Sequence, residues 1–204
     1  MIKLNLENNG YFQVRENIFN LSNNILSEFN TVFEKYPSAW KNVSTIDEIE
    51  KVFQYYEINK IYKKILEILD FNKIKEKVVF DDIWFVSSKK SSYKKNELPN
   101  IPHIDKIRKF KIMIYLNEVN KDSGPLYIAN CNTNKYEELR LSLKKDYKKK
   151  QGNVINDIPL NDFSPMIGEF GSAIFFDTNT PHFAGPFLKD NNFRNVIRFN
   201  FRYL

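Results

Sequence analysis

The feature that most restricts how this chain folds is a change of periodicity near residue 78. Before it, apolar side chains recur every three or four positions. Leu21, Ile25, Leu26, Phe29, Val32, Phe33 and Tyr36 form one stripe, which stops before Pro37. A second stripe opens at Thr45-Ile46-Asp47-Glu48, a capping box, and runs through Ile49, Val52, Phe53 and Tyr56 to Ile61, Ile65 and Leu69, with a break expected near Asn59. Such spacing puts the apolar groups on one helix face, which must then pack against another layer. After residue 78 the segments are short, β-branched or aromatic and divided by turns, as in Val78-Val79-Phe80, Ile83-Trp84-Phe85-Val86 and residues 110–116. Alternation of this type belongs to extended chain with one buried face. Residues 10–14 read as one further short strand near the start. Helices first and strands later give an α+β class with a mainly β core, an antiparallel sandwich or barrel flanked by N-terminal helices. We expect a single domain over residues 1–204, with 1–77 as the helical flank and 78–204 as the core.

Composition removes several alternatives. Cys131 is the only cysteine, which excludes a disulfide framework or a zinc ribbon. No apolar run approaches membrane-spanning length, and residues 1–7 lack a secretory apolar region. A cytoplasmic protein with no membrane partner is expected. The formal charge of +6 comes mainly from lysine, concentrated in residues 89–95 and 144–150. Those runs read as solvated surface, and their sign favours an anionic substrate through steering.

Only two histidines are present. His103-Ile104-Asp105 precedes an alternating run, and in extended chain residues i and i+2 face the same side. His182 follows the strand-like residues 172–177 and a turn at Thr180-Pro181. Two imidazoles and one carboxylate on a sheet scaffold match the facial triad of non-haem Fe(II) oxygenases, which leaves coordination positions open for a cosubstrate and dioxygen. Twelve residues past His182, Arg194 opens a run in which Arg194, Val196, Arg198, Asn200 and Arg202 alternate with Ile197, Phe199 and Phe201. That is a strand with an apolar back and a cationic front. An arginine facing a cavity holds a carboxylate through two parallel hydrogen bonds, and the distal carboxylate of 2-oxoglutarate is the expected guest. Arg202 reads as a surface charge.

From His103 to its end the chain resembles the phytanoyl-CoA dioxygenase family of Fe(II)/2-oxoglutarate oxygenases. The resemblance rests on His103-Ile104-Asp105, on residues 114–120 leading into Ser123-Gly124-Pro125-Leu126, on residues 168–177, and on Pro181-His182 with Arg194 beyond. Asn9-Gly10-Tyr11-Phe12-Gln13-Val14 is similar to the family's usual entry. The resemblance implies a double-stranded β-helix, the jelly-roll or cupin-like fold. It implies His103, Asp105 and His182 as catalytic iron ligands and Arg194 as the 2-oxoglutarate anchor, with Arg198 as the alternative anchor. Two departures stand out. The family often carries a Pro-Gly-Ser-His segment where this chain has residues 129–133, near the substrate entrance. A hydroxyl two places after the distal histidine, which assists the oxoglutarate carboxylate, is replaced by Ala184. Tyr115, on the parity of His103 and Asp105, is the candidate replacement.

The implied reaction is oxidative decarboxylation of 2-oxoglutarate to succinate and CO2, coupled through O2 to hydroxylation of a small-molecule or carrier-linked substrate. Related halogenases lack the carboxylate that Asp105 supplies, so its presence favours hydroxylation. Trp84, Met113 and Tyr127 are candidate apolar lining. Two alternatives are weighed beside this reading. One is an oxygenase repairing alkylated nucleic acid, which the lack of a base-stacking pattern argues against. The other is a jelly-roll binding protein without turnover.

Overall fold

Six antiparallel strands form the larger of two sheets, and helices cover one of its faces. The computed structural model describes residues 2–34, 40–145 and 154–204. In chain order the elements are α1 (Ile2–Asn9), β1 (Tyr11–Val14), α2 (Asn24–Glu34), β2 (Trp40–Val43), α3 (Ile46–Val52), α4 (Tyr56–Phe71), β3 (Val78–Lys89), β4 (Lys109–Tyr115), β5 (Leu126–Ala129), α5 (Glu137–Lys145), β6 (Phe163–Met166), β7 (Ala173–Asp177), β8 (His182–Ala184) and β9 (Phe193–Tyr203). The larger sheet has the order β1-β7-β4-β9-β3-β2, and the smaller one β6-β5-β8.

Apart from Tyr56, which is exposed at the start of α4, the helical stripes do what their spacing requires. Ile25, Phe29 and Val32 of α2 and Ile58, Ile61, Ile65 and Leu69 of α4 are buried against Ile83, Phe85, Phe110, Ile112, Ile114, Phe175, Ile197, Phe199 and Phe201 of the sheet. Thr45 caps α3: its Oγ1 accepts from the Glu48 backbone N–H and donates to Glu48 Oε2. The break expected near Asn59 falls earlier, between Val52 and Tyr56. The reason is tertiary. Tyr55 supplies no side-chain cap, and the Glu28 carboxylate of α2 instead accepts from the N–H groups of Glu57 and Ile58, at 3.0 Å each.

One other expectation needs correction. Residues 2–9 are helical, and the boundary at residue 77 is not one the sheet respects. β1 pairs with β7 and β2 with β3, so both outer strands of the large sheet come from the segment expected as a helical flank. The strand-like pieces from residue 78 are one strand, interrupted by a bulge between Phe80 and Asp82. Tyr36, the last position of the first stripe, lies outside the described residues, as do residues 146–150 of the second lysine run.

The opposite face of the large sheet meets the small sheet. Met113, Tyr115, Ile174, Phe176 and Val196 pack against Leu126, Ile128 and Met166. Strict alternation on β4 and β9 thus feeds two different environments from one strand, and the cavity described next opens on this inner side.

Candidate metal centre

Backbone pairing brings the two histidines together across seventy-nine residues of sequence. His103 and His182 form an isolated antiparallel bridge, with His103 N–H to His182 O at 3.1 Å and His182 N–H to His103 O at 2.9 Å. Their ring centroids lie 4.5 Å apart. Asp105 N–H donates to Thr178 O at 3.1 Å, which turns its carboxylate toward both rings. The Asp105 Oδ1 atom is 3.8 Å from His103 Nε2 and 3.7 Å from His182 Nε2. One donor atom from each of the three lies within 4.8 Å of the others. The extended geometry assumed for residues 103–105 is limited to this bridge, since β4 begins only at Lys109.

The turn before His182 is fixed from afar. Gly10, at φ +78, lies so close to Thr180 that a Cβ would sit 2.0 Å from its Oγ1. Its carbonyl accepts from the Asp177 N–H at 3.0 Å. A side chain there would push on the turn that delivers the second imidazole.

Both imidazoles are set up as neutral donors. Each Nδ1 lies 2.8 Å from a backbone carbonyl, Ile101 O for His103 and Thr180 O for His182. A carbonyl only accepts, so Nδ1 carries the proton and Nε2 keeps its lone pair, directed at Asp105. Burial lowers both histidine pKa values, and for His182 burial together with the neighbouring His103 takes it to about 3. Burial raises the Asp105 carboxyl, but Lys111, then His182 and His103, outweigh it and hold it well below its ordinary value. At neutral pH the set is therefore two neutral nitrogens and one carboxylate, a donor set that suits a borderline divalent cation such as iron.

The three groups stand in a cavity of about 730 Å³. Trp84, Met113, Leu126, Phe176 and Phe187 give it an apolar wall, and Ala184 also lines it. Two of the apolar candidates from sequence are there, Trp84 and Met113. Tyr127 is instead stacked on Phe183, 4.8 Å between centroids, in a separate cluster.

Arg194 and Arg198 both line the cavity, on the front of β9. Arg194 is 6 % exposed and donates to the Gly124 carbonyl. Gly124, at φ +64, approaches Phe187 so closely that a Cβ would overlap the ring. Arg198 is half-buried with its guanidinium 4.5 Å from the Trp84 ring centroid. Burial lowers the pKa of both arginines. Arg202 is exposed and pairs with Asp81 at 2.8 Å.

Tyr115 is fully buried behind the cavity wall. Its hydroxyl donates to Met166 O at 2.7 Å and accepts from the Leu126 N–H at 3.4 Å, and burial takes its pKa to about 12. It neighbours Arg194 electrostatically but does not itself line the cavity.

Lys111 is the residue that sequence reasoning missed. It is 7 % exposed, and its ammonium lies 2.5 Å from Asp105 Oδ2, opposite the oxygen that faces the histidines. Burial lowers its pKa to about 8 despite the attraction of Asp105. The signal was available: Lys111 lies in the middle of β4, flanked by Phe110, Ile112, Met113 and Ile114, in a fully buried run that a lysine occupies only when paired.

No protein-family model matches this chain, and no curated protein does either. Solved structures do. EvdO2 from Micromonospora carbonacea var. aurantiaca, complexed with 2-oxoglutarate, is similar with TM-score 0.65 and 14 % identity, over 100 % of this chain and 90 % of that one. The epimerase SnoN, in complex with Fe3+, alpha ketoglutarate and nogalamycin RO, matches with TM-score 0.65 and 12 % identity, over 98 % of this chain and 82 % of that one. HygX from Streptomyces hygroscopicus, with nickel and 2-oxoglutarate bound, gives TM-score 0.60 and 8 % identity, over 98 % and 85 %. At these identities the likeness is one of fold, shared with three proteins that each bind 2-oxoglutarate.

Proposed function

We propose that this chain is an Fe(II)- and 2-oxoglutarate-dependent oxygenase, of the phytanoyl-CoA dioxygenase type its sequence resembles, that hydroxylates a small molecule and releases succinate and CO2. The observation that carries the reading is the convergence of His103, Asp105 and His182 in a cavity that is also lined by the buried Arg194 and the half-buried Arg198. The ligands of EvdO2, SnoN and HygX support it. So does the topology. With the His103 bridge counted as a strand, the small sheet runs His103-β8-β5-β6 and faces β7-β4-β9-β3, which is four strands on four in the manner of a double-stranded β-helix.

His103 Nε2, His182 Nε2 and Asp105 Oδ1 would hold the metal. Bound there, iron would supply the dioxygen chemistry, coupled to oxidative decarboxylation of 2-oxoglutarate. The protein's own contribution is orientation and exclusion of water. The carbonyls of Ile101 and Thr180 fix both imidazole tautomers, and Lys111 holds the outer oxygen of Asp105 so that Oδ1 stays toward the histidines. Arg194 receives the distal carboxylate of 2-oxoglutarate: it is the deeper arginine, steadied by the Gly124 carbonyl, and its Nε has no partner among the described residues. Tyr115 acts here as the buried wall behind Arg194. The apolar side chains of Trp84, Met113 and Phe176 keep the reacting end dry.

The alkylation-repair alternative gains nothing from the arginine-rich ending. Phe199 and Phe201 are buried in the helix-facing core, with no face for a base to stack on. The whole chain, titrated anaerobically with Fe(II), should develop a visible charge-transfer band only when 2-oxoglutarate is also present, and should form succinate once air is admitted. Absence of both the band and succinate would overturn the proposal.

A further inference from the structure

The cavity holds more positive charge than a metal and one cosubstrate account for. Among its cationic wall groups, Lys109 is paired with Asp81 at 2.6 Å and Asp82 at 2.9 Å, and Lys111 is paired with Asp105. Arg194 and Arg198 each keep a buried Nε without a hydrogen-bond partner among the described residues. An arginine cannot shed its charge, so each needs an acceptor. The two stand four residues apart on β9, about 13 Å along an extended strand. One distal carboxylate therefore serves one of them, and depth assigns it to Arg194.

Resting on the oxygenase reading, we infer that Arg198 is a substrate-binding residue and that the molecule oxidised carries a carboxylate which it receives. Arg198 is directly opposite Trp84 in the β3–β9 register and opposite Met113 in the β4–β9 register. That position places it at the level of Asp105, whose charge it feels, rather than at the buried end near Tyr115. Its guanidinium lies over the Trp84 ring, which holds the plane and leaves the N–H groups at the edge to point along that plane. A planar, two-oxygen acceptor matches this fork better than a tetrahedral one. Neighbouring apolar walls at Val86, Met113 and Phe176 suit the hydrocarbon part of such a molecule.

The rim points to the same sign of charge. Ser92 and Tyr93 line the cavity, and they belong to the lysine run at 89–95 that the catalytic reading leaves without a role. Lys89, Lys90, Lys94 and Lys95 are exposed around them. A basic rim raises the local concentration of anions and speeds their entry.

The test uses the whole chain loaded anaerobically with Fe(II) and 2-oxoglutarate, and a panel of aromatic and aliphatic monocarboxylic acids, each with its primary amide and the corresponding phosphate monoester. Binding is read by calorimetry, and the visible band reports 2-oxoglutarate separately. Acids should bind about tenfold or more tighter than their amides, and Arg198→Met should remove that preference while changing 2-oxoglutarate affinity by less than about threefold. Arg198→Lys, which keeps the charge and loses the fork, should retain part of the preference. Arg194→Met should weaken 2-oxoglutarate by about tenfold or more. If Arg198→Met weakens 2-oxoglutarate and Arg194→Met does not, Arg198 is the cosubstrate anchor and the inference is overturned, though the oxygenase reading stands. Equal binding of acids and amides, or a preference for the phosphate esters, also overturns it. Failure of the wild-type chain to bind 2-oxoglutarate overturns the oxygenase reading itself.

Discussion

The two faces of β9 share a backbone and differ in nearly everything else. Toward the helices, Ile197, Phe199 and Phe201 enter a continuous apolar layer whose groups ask only for contact. Toward the small sheet, Arg194 Nε, Arg198 Nε and Asn200 Oδ1 are buried and find no partner among the described residues. The apolar face is satisfied by packing alone. The inner face buries two donors and one acceptor that cost free energy until water or a ligand meets them. β4 repeats the division, with Phe110, Ile112 and Ile114 on one side and Lys111 and Met113 on the other.

Changes confined to one face should therefore separate function from stability. The largest expected effect is that of His103→Ala, which removes one of the three proposed ligand atoms and should abolish metal-dependent succinate formation. Its urea midpoint should move far less than that of a core deletion on the helix side. A variant with full succinate yield would break the assignment of the centre. Ile65→Ala works from the other direction. Ile65 is fully buried between α4 and the sheet, and its truncation should destabilise the chain by about 2–5 kcal/mol in chemical denaturation. Cosubstrate affinity per folded molecule should stay unchanged. A large affinity change would mean that the two faces are coupled.

The smallest effect is one of pH. His182 has a folded pKa of about 3 against an ordinary value of 6.5. Between those values the unfolded chain binds a proton that the folded chain refuses, so the metal-free protein is fully stabilised above pH 6.5 and loses stability as pH falls. The share from His182 is up to one proton, about 1.4 kcal/mol per pH unit. His182→Asn should flatten urea-derived stability between pH 6.5 and pH 4.5 by that share. An unchanged slope would show that His182 is not held neutral by its surroundings.

Much of this was legible in the sequence because it depends on local periodicity. The stripe of α2, the cap at Thr45, the short strand at residues 11–14 and the two-faced β9 all follow from side-chain spacing. The candidate set of His103, Asp105 and His182 also came from the sequence, because the chain has only two histidines and one of them opens a His-x-Asp pair. What escaped depends on partners distant in sequence. The break between α3 and α4 is set by Glu28, thirty residues away. The strand β2 and the place of β1 at the opposite edge escaped as well, because each joins the sheet only where β3 or β7 offers a free edge. Lys111 looked like one more lysine in a basic chain until Asp105 was found beside it.

Periodicity and residue chemistry, both properties of the local chain, were enough to set the layers, the two-faced strands and the shortlist of candidate metal-ligating groups. Tertiary packing set how those groups meet. It paired His103 with His182, turned Asp105 toward both, gave Lys111 to Asp105, sent Arg194 deep beside Gly124 and left Arg198 over Trp84. Those choices depend on strand register and on which buried charge finds an opposite one, and neither is written in the spacing of residues along the chain.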